Sequence, residues 1–168
     1  MNKKKHEIYE SVTKSLVKQL EDMNLPRDQR LRAKNLTLLF RDSFKLETVK
    51  HATFYIDAKY DYKFFPYDSY GFCRASSFSF VALMNNPDWQ LMYIDDIWAY
   101  GPHFFVMHMP SRKPFDLTFD QYLYDGIEIP YYLGRPAKID KDGKNVITRF
   151  LHAAEFDFSL ALKNLNRD

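Results

Sequence analysis

The spacing of apolar residues changes along this chain, and that change limits the folds open to it. Near the start, apolar residues recur four apart with charged and polar residues between them, which predicts an amphipathic helix over about Lys5 to Met23. The residues with this spacing are Ile8, Val12, Leu16 and Leu20. From Trp89 onward, short β-branched and aromatic segments separated by turn residues indicate strands. Helices followed by strands predict an α+β domain.

The remaining elements follow from the same patterns. A second helix is predicted from Arg27 or Asp28 to Phe44, and we expect four of its apolar residues to face inward: Leu31, Leu36, Leu39 and Phe40. Both N-terminal helices are interpreted as scaffold without a cluster of chemical groups. The other predicted elements are a strand at Thr53–Ile56, a helix at Cys73–Asn85, strands at Leu91–Ile94, His103–His108 and Phe115–Phe119, a loop at Lys138–Lys144, and a helix from about Val146 to Leu165.

These elements predict one domain over residues 1–168. We expect a helical part over 1–46, and over 47–168 a helix opened by the cysteine, an antiparallel sheet meander and a C-terminal helix. The net charge is only +2, from 24 basic and 22 acidic residues, so the chain lacks the strongly basic character of nucleic-acid-binding proteins. No apolar run reaches the roughly 20 residues that a membrane span needs. We therefore expect a cytoplasmic protein with no nucleic-acid and no membrane partner; the sequence leaves its oligomeric state open.

The chain has one cysteine, Cys73, which excludes an intramolecular disulfide and a cysteine-based zinc site. Cys73 follows Gly71 and opens the predicted helix, in which Cys73, Ser77, Phe80 and Met84 share a face. The N-terminus of a helix favours a thiolate through the macrodipole and its free backbone N–H groups. The same N–H groups can hold an oxyanion. The position of Cys73 therefore suits a nucleophile.

A nucleophilic cysteine needs a base, and the base needs a group that orients it. His103 begins a predicted strand and Asp116 lies on the returning strand. The sum of their numbers is odd, so in an antiparallel hairpin with an even loop they project from one face of the sheet. A turn centred on Met109-Pro110 places them directly opposite each other, whereas one centred on Ser111-Arg112 places Asp116 opposite Met107. The sequence leaves this register open.

These segments together resemble the transglutaminase-like and papain-like group of cysteine enzymes. Small bacterial and phage proteins of unknown function with a similar Asp-Leu-Thr-x-Asp-Gln motif are also similar. The resemblance covers about residues 70–122, and three segments carry it: Gly71-Phe72-Cys73, His103-Phe104-Phe105-Val106 and Asp116-Leu117-Thr118-Phe119-Asp120-Gln121. It implies Cys73 as nucleophile, His103 as general base and then acid, and Asp116 as the residue that orients the imidazole. Papain-like enzymes usually carry a Gln upstream that completes the oxyanion hole, but no Gln lies between Gln29 and Cys73. The second donor is left open among Tyr67, Ser69, Tyr70 and a backbone amide.

Two other sets of residues offer alternatives. His108 is a rival base, on the opposite face of a regular strand. Asp95 and Asp96 with the two histidines suggest a metal site, but adjacent carboxylates on a strand point to opposite faces, so we predict no metal.

The function predicted from these residues is cysteine-dependent acyl transfer, as a peptidase, amidase, deamidase or transferase. The substrate is a protein, a peptide or a small amide, and no cofactor is needed. We assign Tyr67, Tyr70, Trp98 and Gln121 to substrate binding. The alternative is a catalytically inactive module that binds a protein through the aromatic stretch Tyr55–Tyr70 before Cys73.

Overall fold

Five α-helices, a four-stranded sheet and two short 3-10 helices are found in the part of the chain, residues 3–54 and 67–154, that a computed structural model describes. The helices are α1 (Lys3–Asp22), α2 (Arg27–Ser43), α3 (Glu47–Phe54), α4 (Cys73–Met84) and α5 (Lys141–Ala153). The strands are β1 (Trp89–Ile94), β2 (His103–His108), β3 (Lys113–Phe115) and β4 (Arg135–Pro136), and the 3-10 helices span Phe119–Asp125 and Tyr131–Leu133. None of these helices combines the length and the apolar character needed to cross a bilayer.

The sheet has the strand order β3-β2-β1-β4, and every neighbouring pair is antiparallel. Strands β1, β2 and β3 form the predicted meander, and β4 adds to the free edge of β1. Helix α4 packs on the sheet through aromatic contacts, with Phe78 edge-on to Phe104 at 4.9 Å and Phe80 edge-on to Trp89 at 5.2 Å between ring centroids. These elements confirm the predicted α+β fold.

An aromatic cluster fixes the start of α4 against the other helices. Phe72, the residue before Cys73, is fully buried and stacks on Phe44 at the end of α2, with centroids 4.5 Å apart. Phe150 of α5 and Phe54 of α3 contact the same ring. Burial of a phenylalanine side chain contributes about 2 kcal/mol or more. The backbone next to the cysteine is therefore anchored in the core.

Some predicted elements are wrong in detail. Thr53 and Phe54 end helix α3 instead of opening a strand, and Tyr55 and Ile56 lie outside the described residues. The β propensity of these residues is overridden because α3 packs against the core through Val49 and through the Phe54 ring, which meets Phe72 edge-on.

The predicted strand at Phe115–Phe119 and the predicted loop at Lys138–Lys144 also differ from the observed elements. Strand β3 ends at Phe115, and Phe119 opens a 3-10 helix. Helix α5 begins at Lys141 because the Asp140 side chain caps it by accepting a hydrogen bond from the Gly143 N–H. The residues after 154, including the predicted end of the last helix, lie outside the described part.

Candidate active site

Cys73 lies at the first position of α4, as predicted. Gly71 precedes it with φ +80°, a backbone conformation that favours glycine. A Cβ at Gly71 would lie 2.8 Å from the Phe54 ring, so the close approach of α3 also requires glycine there. The thiol is half-buried and lies beside the His103 imidazole, whose hydrogen bonding and charge lower the thiol pKa. The two side chains that the sequence proposed as nucleophile and base therefore meet.

His103 opens β2 directly after the turn at Gly101-Pro102, and its side chain is fully buried. Its ring stacks parallel to Phe105 and meets Tyr122 edge-on, with centroids 5.3 Å apart in the second case. The imidazole Nε2 lies 2.6 Å from Asp116 Oδ2. His103 therefore lies between the thiol and a carboxylate, and its ring packs against two aromatic rings.

The hairpin register explains how Asp116 reaches His103. Val106 pairs with Phe115 and His108 with Lys113, so extending the register by one step puts Asp116 beside Phe105, on the same face as His103 and diagonal to it. The predicted shared face is confirmed, whereas both predicted turn centres are wrong. The turn centre lies between Pro110 and Ser111, with Arg112 at φ +55°.

Four hydrogen bonds hold the Asp116 carboxylate, although its side chain is almost fully buried. Oδ2 accepts from His103 Nε2 and, at 2.9 Å, from the Tyr131 hydroxyl. Oδ1 accepts from the Thr118 backbone N–H at 3.0 Å and from its hydroxyl at 3.2 Å. A buried carboxylate needs such donors to remain ionised. This carboxylate is therefore fixed in position facing the imidazole.

The charges in this cluster shift both titrations. Burial lowers the pKa of His103, but the adjacent Asp116 carboxylate and then the Cys73 sulfur outweigh it, so the net direction is upward. Burial raises the pKa of the Cys73 thiol, but the hydrogen bond and charge of His103 and a backbone hydrogen bond from Phe104 outweigh it, so the thiol pKa is lowered. Both shifts make transfer of the thiol proton to the imidazole easier. Burial and Asp116 raise the pKa of Tyr131, so its hydroxyl stays a donor.

Gln121 joins the loop before the cysteine to the histidine. Its Oε1 accepts from the Gly71 backbone N–H at 3.1 Å, and its Nε2 lies 3.0 Å from His103 Nδ1. The side chain is buried. The structure places Gln121, which the sequence assigned to substrate binding, in contact with the proposed base.

Asp120 and Arg41 form a buried ion pair that the sequence analysis missed. The guanidinium donates to Asp120 Oδ1 at 2.9 Å and Oδ2 at 3.0 Å, and also to the Leu117 carbonyl. It further donates to the Tyr9 carbonyl and to Thr13 Oγ1, both on α1. The N-terminal helices therefore support the site through a specific buried contact, because Arg41 fixes the segment that carries Asp116 and Gln121. Arg41 lies four residues after the buried Thr37, and this spacing on the inward face of α2 was the available signal.

A cavity of about 310 Å³ opens at the cysteine. The described residues that line it carry no formally charged side chain apart from the titratable thiol, and half of them are aromatic: Phe54, Tyr70, Gly71, Cys73, Tyr100, Pro102, Gln121 and Tyr122. Tyr70 and Gln121, both assigned to substrate binding, thus meet at the thiol.

The other two residues assigned to substrate binding lie elsewhere. Tyr67 is almost fully buried, and its carbonyl accepts the Tyr70 N–H. Trp98 is exposed, with φ +48°, and lines a separate cavity with Glu128 and Tyr132. Most of the aromatic stretch proposed as a binding loop, residues 55–66, lies outside the described part of the chain.

The alternative base and metal ligands are engaged in other contacts. His108 Nδ1 lies 2.7 Å from Ser111 Oγ, and its ring packs on Trp89. Asp96 accepts backbone N–H groups of the turn that follows β1, and Asp95 pairs with Arg135. Within residues 3–54 and 67–154, no three His, Cys, Asp or Glu side chains come together as metal ligands.

Comparison with protein-family models, with curated proteins and with solved structures finds no match to this chain, so the functional conclusion rests on the geometry of Cys73, His103 and Asp116.

Proposed function

We propose that this protein is a cysteine-dependent acyl-transfer enzyme with Cys73 as nucleophile, His103 as general base and acid, and Asp116 as the residue that orients the imidazole. The observation that carries the proposal is the position of His103 between a thiol at a helix N-terminus and a carboxylate held by four donors. This is the arrangement that activates a thiol nucleophile.

The reaction begins when His103 Nδ1 takes the thiol proton and the Cys73 sulfur attacks a carbonyl carbon. The carbon–sulfur bond forms, the carbonyl π pair moves to oxygen, and the collapse of this oxyanion expels an amine or alcohol that takes the proton from His103. Water then attacks the thioester, His103 accepts and returns its proton, and the acid and the free thiol are released. An amine in place of water gives transfer instead of hydrolysis.

Asp116 supports each of these proton movements. As an ionised carboxylate it can only accept a hydrogen bond, so the proton on His103 Nε2 points toward it and Nδ1 is left as the nitrogen that can take the thiol proton. The imidazolium that forms during attack is stabilised by the adjacent negative charge.

The size and the lining of the cavity at Cys73 indicate which class of substrate fits. Half of its described lining residues are aromatic, and apart from the thiol itself none is charged. A space of about 310 Å³ accommodates one side chain or a short acyl group, but not a folded domain. We propose an uncharged acyl group of a protein, a peptide or a small amide as the substrate. Membership of the transglutaminase-like and papain-like group and a cytoplasmic location belong to the same proposal, since a thiolate nucleophile works best where thiols stay reduced.

The first test measures the reactivity of the only thiol in the chain. We expect iodoacetamide to alkylate Cys73 at pH 6 roughly tenfold faster than it alkylates a small free thiol, because each unit by which the pKa falls gives up to tenfold more thiolate. We also expect p-nitrophenyl acetate to give a burst of p-nitrophenolate equal to the enzyme concentration, with no burst from Cys73→Ala.

Two outcomes would contradict the proposal. Alkylation no faster than that of the free thiol would show that His103 does not activate the sulfur. Absence of a burst from folded wild-type protein would favour the inactive binding module.

A further inference from the structure

The second cavity, which Trp98, Glu128 and Tyr132 help to line, has a volume of about 560 Å³ and differs in charge from the cavity at Cys73. Trp98 and Tyr132 are largely exposed, with exposed fractions of 59% and 81%. Glu128 is the only formally charged residue among the described residues of this lining. The cavity at Cys73 has no charged side chain apart from the thiol. The two cavities therefore suit different chemical groups.

The two cavities lie next to each other. Trp98 comes two residues before Tyr100, which lines the cavity at Cys73, so the Cα atoms of these two residues are at most about 7 Å apart. The Ile127 N–H, in the lining of the second cavity, donates to the carbonyl of Tyr122, in the lining of the first. A peptide a few residues long that fills the cavity at Cys73 can therefore extend into the second cavity.

The segment that carries Tyr132 is also fixed to the triad. Tyr131 and Tyr132 belong to the same 3-10 helix, and the Tyr131 hydroxyl donates to Asp116 Oδ2 at 2.9 Å. The position of the second cavity relative to the triad is therefore set by a direct hydrogen bond.

The turn that presents Trp98 has a backbone conformation that bulky residues rarely adopt. Trp98 and Ala99 have φ values of +48° and +71°, in the left-handed region. The Asp96 carboxylate holds this turn by accepting the backbone N–H groups of Ala99 and Gly101, at 2.9 and 2.8 Å. Ile97, the residue before Trp98, is fully buried. The strained turn thus keeps the indole exposed at the cavity instead of packed in the core.

The side chains of the second cavity are of the types that bind organic cations. The faces of Trp and Tyr rings attract ammonium and guanidinium groups, and a carboxylate adds an opposite charge and hydrogen-bond acceptors. Within residues 3–54 and 67–154, no basic side chain forms an ion pair with Glu128. The net charge of the chain is +2, so attraction for a cation must come from local groups.

We propose that the second cavity binds the basic side chain, lysine or arginine, of a peptide whose acyl group is attacked by Cys73. Trp98 and Tyr132 contact the cation through their ring faces, and Glu128 contacts it through its carboxylate. This assignment rests on the proposed acyl-transfer function and deepens it, because it names a peptide with a positive charge a few residues from the reacting carbonyl. The bound cation is not the attacking group, since Cys73 is not among the described residues that line this cavity.

The test compares peptide esters that differ only in charge. Acetylated peptides that end in glycine p-nitrophenyl ester carry arginine at the first, second or third position before the glycine, and citrulline replaces arginine in the matched neutral set. The shared glycine ester keeps the chemistry at the thiol the same. The ratio of kcat/KM for the arginine ester to kcat/KM for the citrulline ester therefore reports recognition of the cation. We expect this ratio to be about tenfold at one position, because ring faces and one exposed carboxylate each contribute a factor of a few.

Two variants remove the two parts of the cation site. Glu128→Gln removes the charge and keeps the shape, whereas Trp98→Leu removes the ring. We expect each to lower the ratio about threefold, and Trp98→Phe to lower it less than Trp98→Leu, because a phenyl ring still offers a π face. The matched control is Glu21→Gln on the exposed side of α1, which should leave the ratio unchanged.

The outcomes separate the cation site from the proposed function. A ratio within about twofold of unity at every position, with the citrulline esters still cleaved, overturns the cation site and leaves acyl transfer intact. A ratio that stays high in both Glu128→Gln and Trp98→Leu also overturns it, because the charge is then recognised elsewhere. An equal fall in Glu21→Gln overturns it as a general effect of net charge. No cleavage of any ester by folded wild-type protein would instead contradict the acyl-transfer function itself.

Discussion

The two ends of strand β2 carry the same residue type in different surroundings. His103 at one end and His108 at the other are both buried. Burial lowers the pKa of each imidazole, and the net pKa of His108 is lowered. Asp116 and Cys73 reverse the direction at His103, whereas His108 contacts a hydroxyl, Ser111 Oγ. Burial alone therefore does not make a histidine a base. At His103 the Asp116 carboxylate decides the direction of the pKa shift.

The largest difference between the two ends should be in catalysis. We expect His103→Ala to lower the rate of Cys73 acylation by about 10³-fold or more, because removing one member of such a triad removes most of its effect. His108→Ala should change that rate less than about threefold, since His108 does not contact the thiol or Asp116. Burst kinetics with p-nitrophenyl acetate measure both. Equal losses in the two variants would remove the distinction between the ends.

The second difference should be in stability, because only the His103 end is held by a buried ion pair. Arg41→Met leaves the Asp120 carboxylate buried without its counter-ion, and we expect the free energy of unfolding to fall by about 3–5 kcal/mol. Lys18→Met is the control, since the exposed pair of Lys18 with Asp22 should contribute no more than about 0.5 kcal/mol.

Urea unfolding measures both variants, and hydrogen exchange locates the effect. Amide exchange should accelerate at residues 116–121 more than at residues 108–113. A uniform change, or a loss below about 1 kcal/mol, would mean that Arg41 does not hold this segment.

The smallest effect should be the pH dependence of the two histidines. In Cys73→Ala, where no thiol titrates beside the ring, we expect the pKa of His103 to lie above the ordinary value of about 6.5 and that of His108 below it. The stability from His103 is then fully present below pH 6.5 and is lost as the pH rises through its raised pKa. His108 acts in the opposite sense, since the unfolded chain binds its proton first as the pH falls below about 6.5, which lowers stability.

Proton NMR titration of the two imidazole rings measures this difference directly. Asp116→Asn sharpens the comparison, because removing the charge should move the pKa of His103 toward that of His108. An unchanged midpoint at His103 would show that Asp116 does not cause the shift.

The sequence was sufficient for the parts of the fold that depend on local patterns. The start of α4 at Cys73 follows from the Gly71 turn and the apolar spacing after it. The shared face of His103 and Asp116 follows from strand alternation alone, since any even loop preserves it.

The features that the sequence did not predict depend on contacts between segments that lie far apart in the chain. The hairpin register was not predictable because the positive φ of Arg112 is set by the whole turn and not by its composition. The contact of Gln121 with Gly71 spans 50 residues, and that of Arg41 with Asp120 spans 79. Local periodicity carries no information about such pairs, so the contact of Gln121 with Gly71 was not predicted and Arg41 was overlooked.

The buried guanidinium of Arg41 also determines which part of the chain must accompany the segment that carries Asp120. A fragment starting at Glu47 would keep all three triad residues and Gln121, yet it would bury Asp120 with no cation beside it. The first two helices therefore belong to the same structural unit as the proposed active site. Any attempt to transplant residues 116–121 into another scaffold must also supply an arginine that pairs with Asp120.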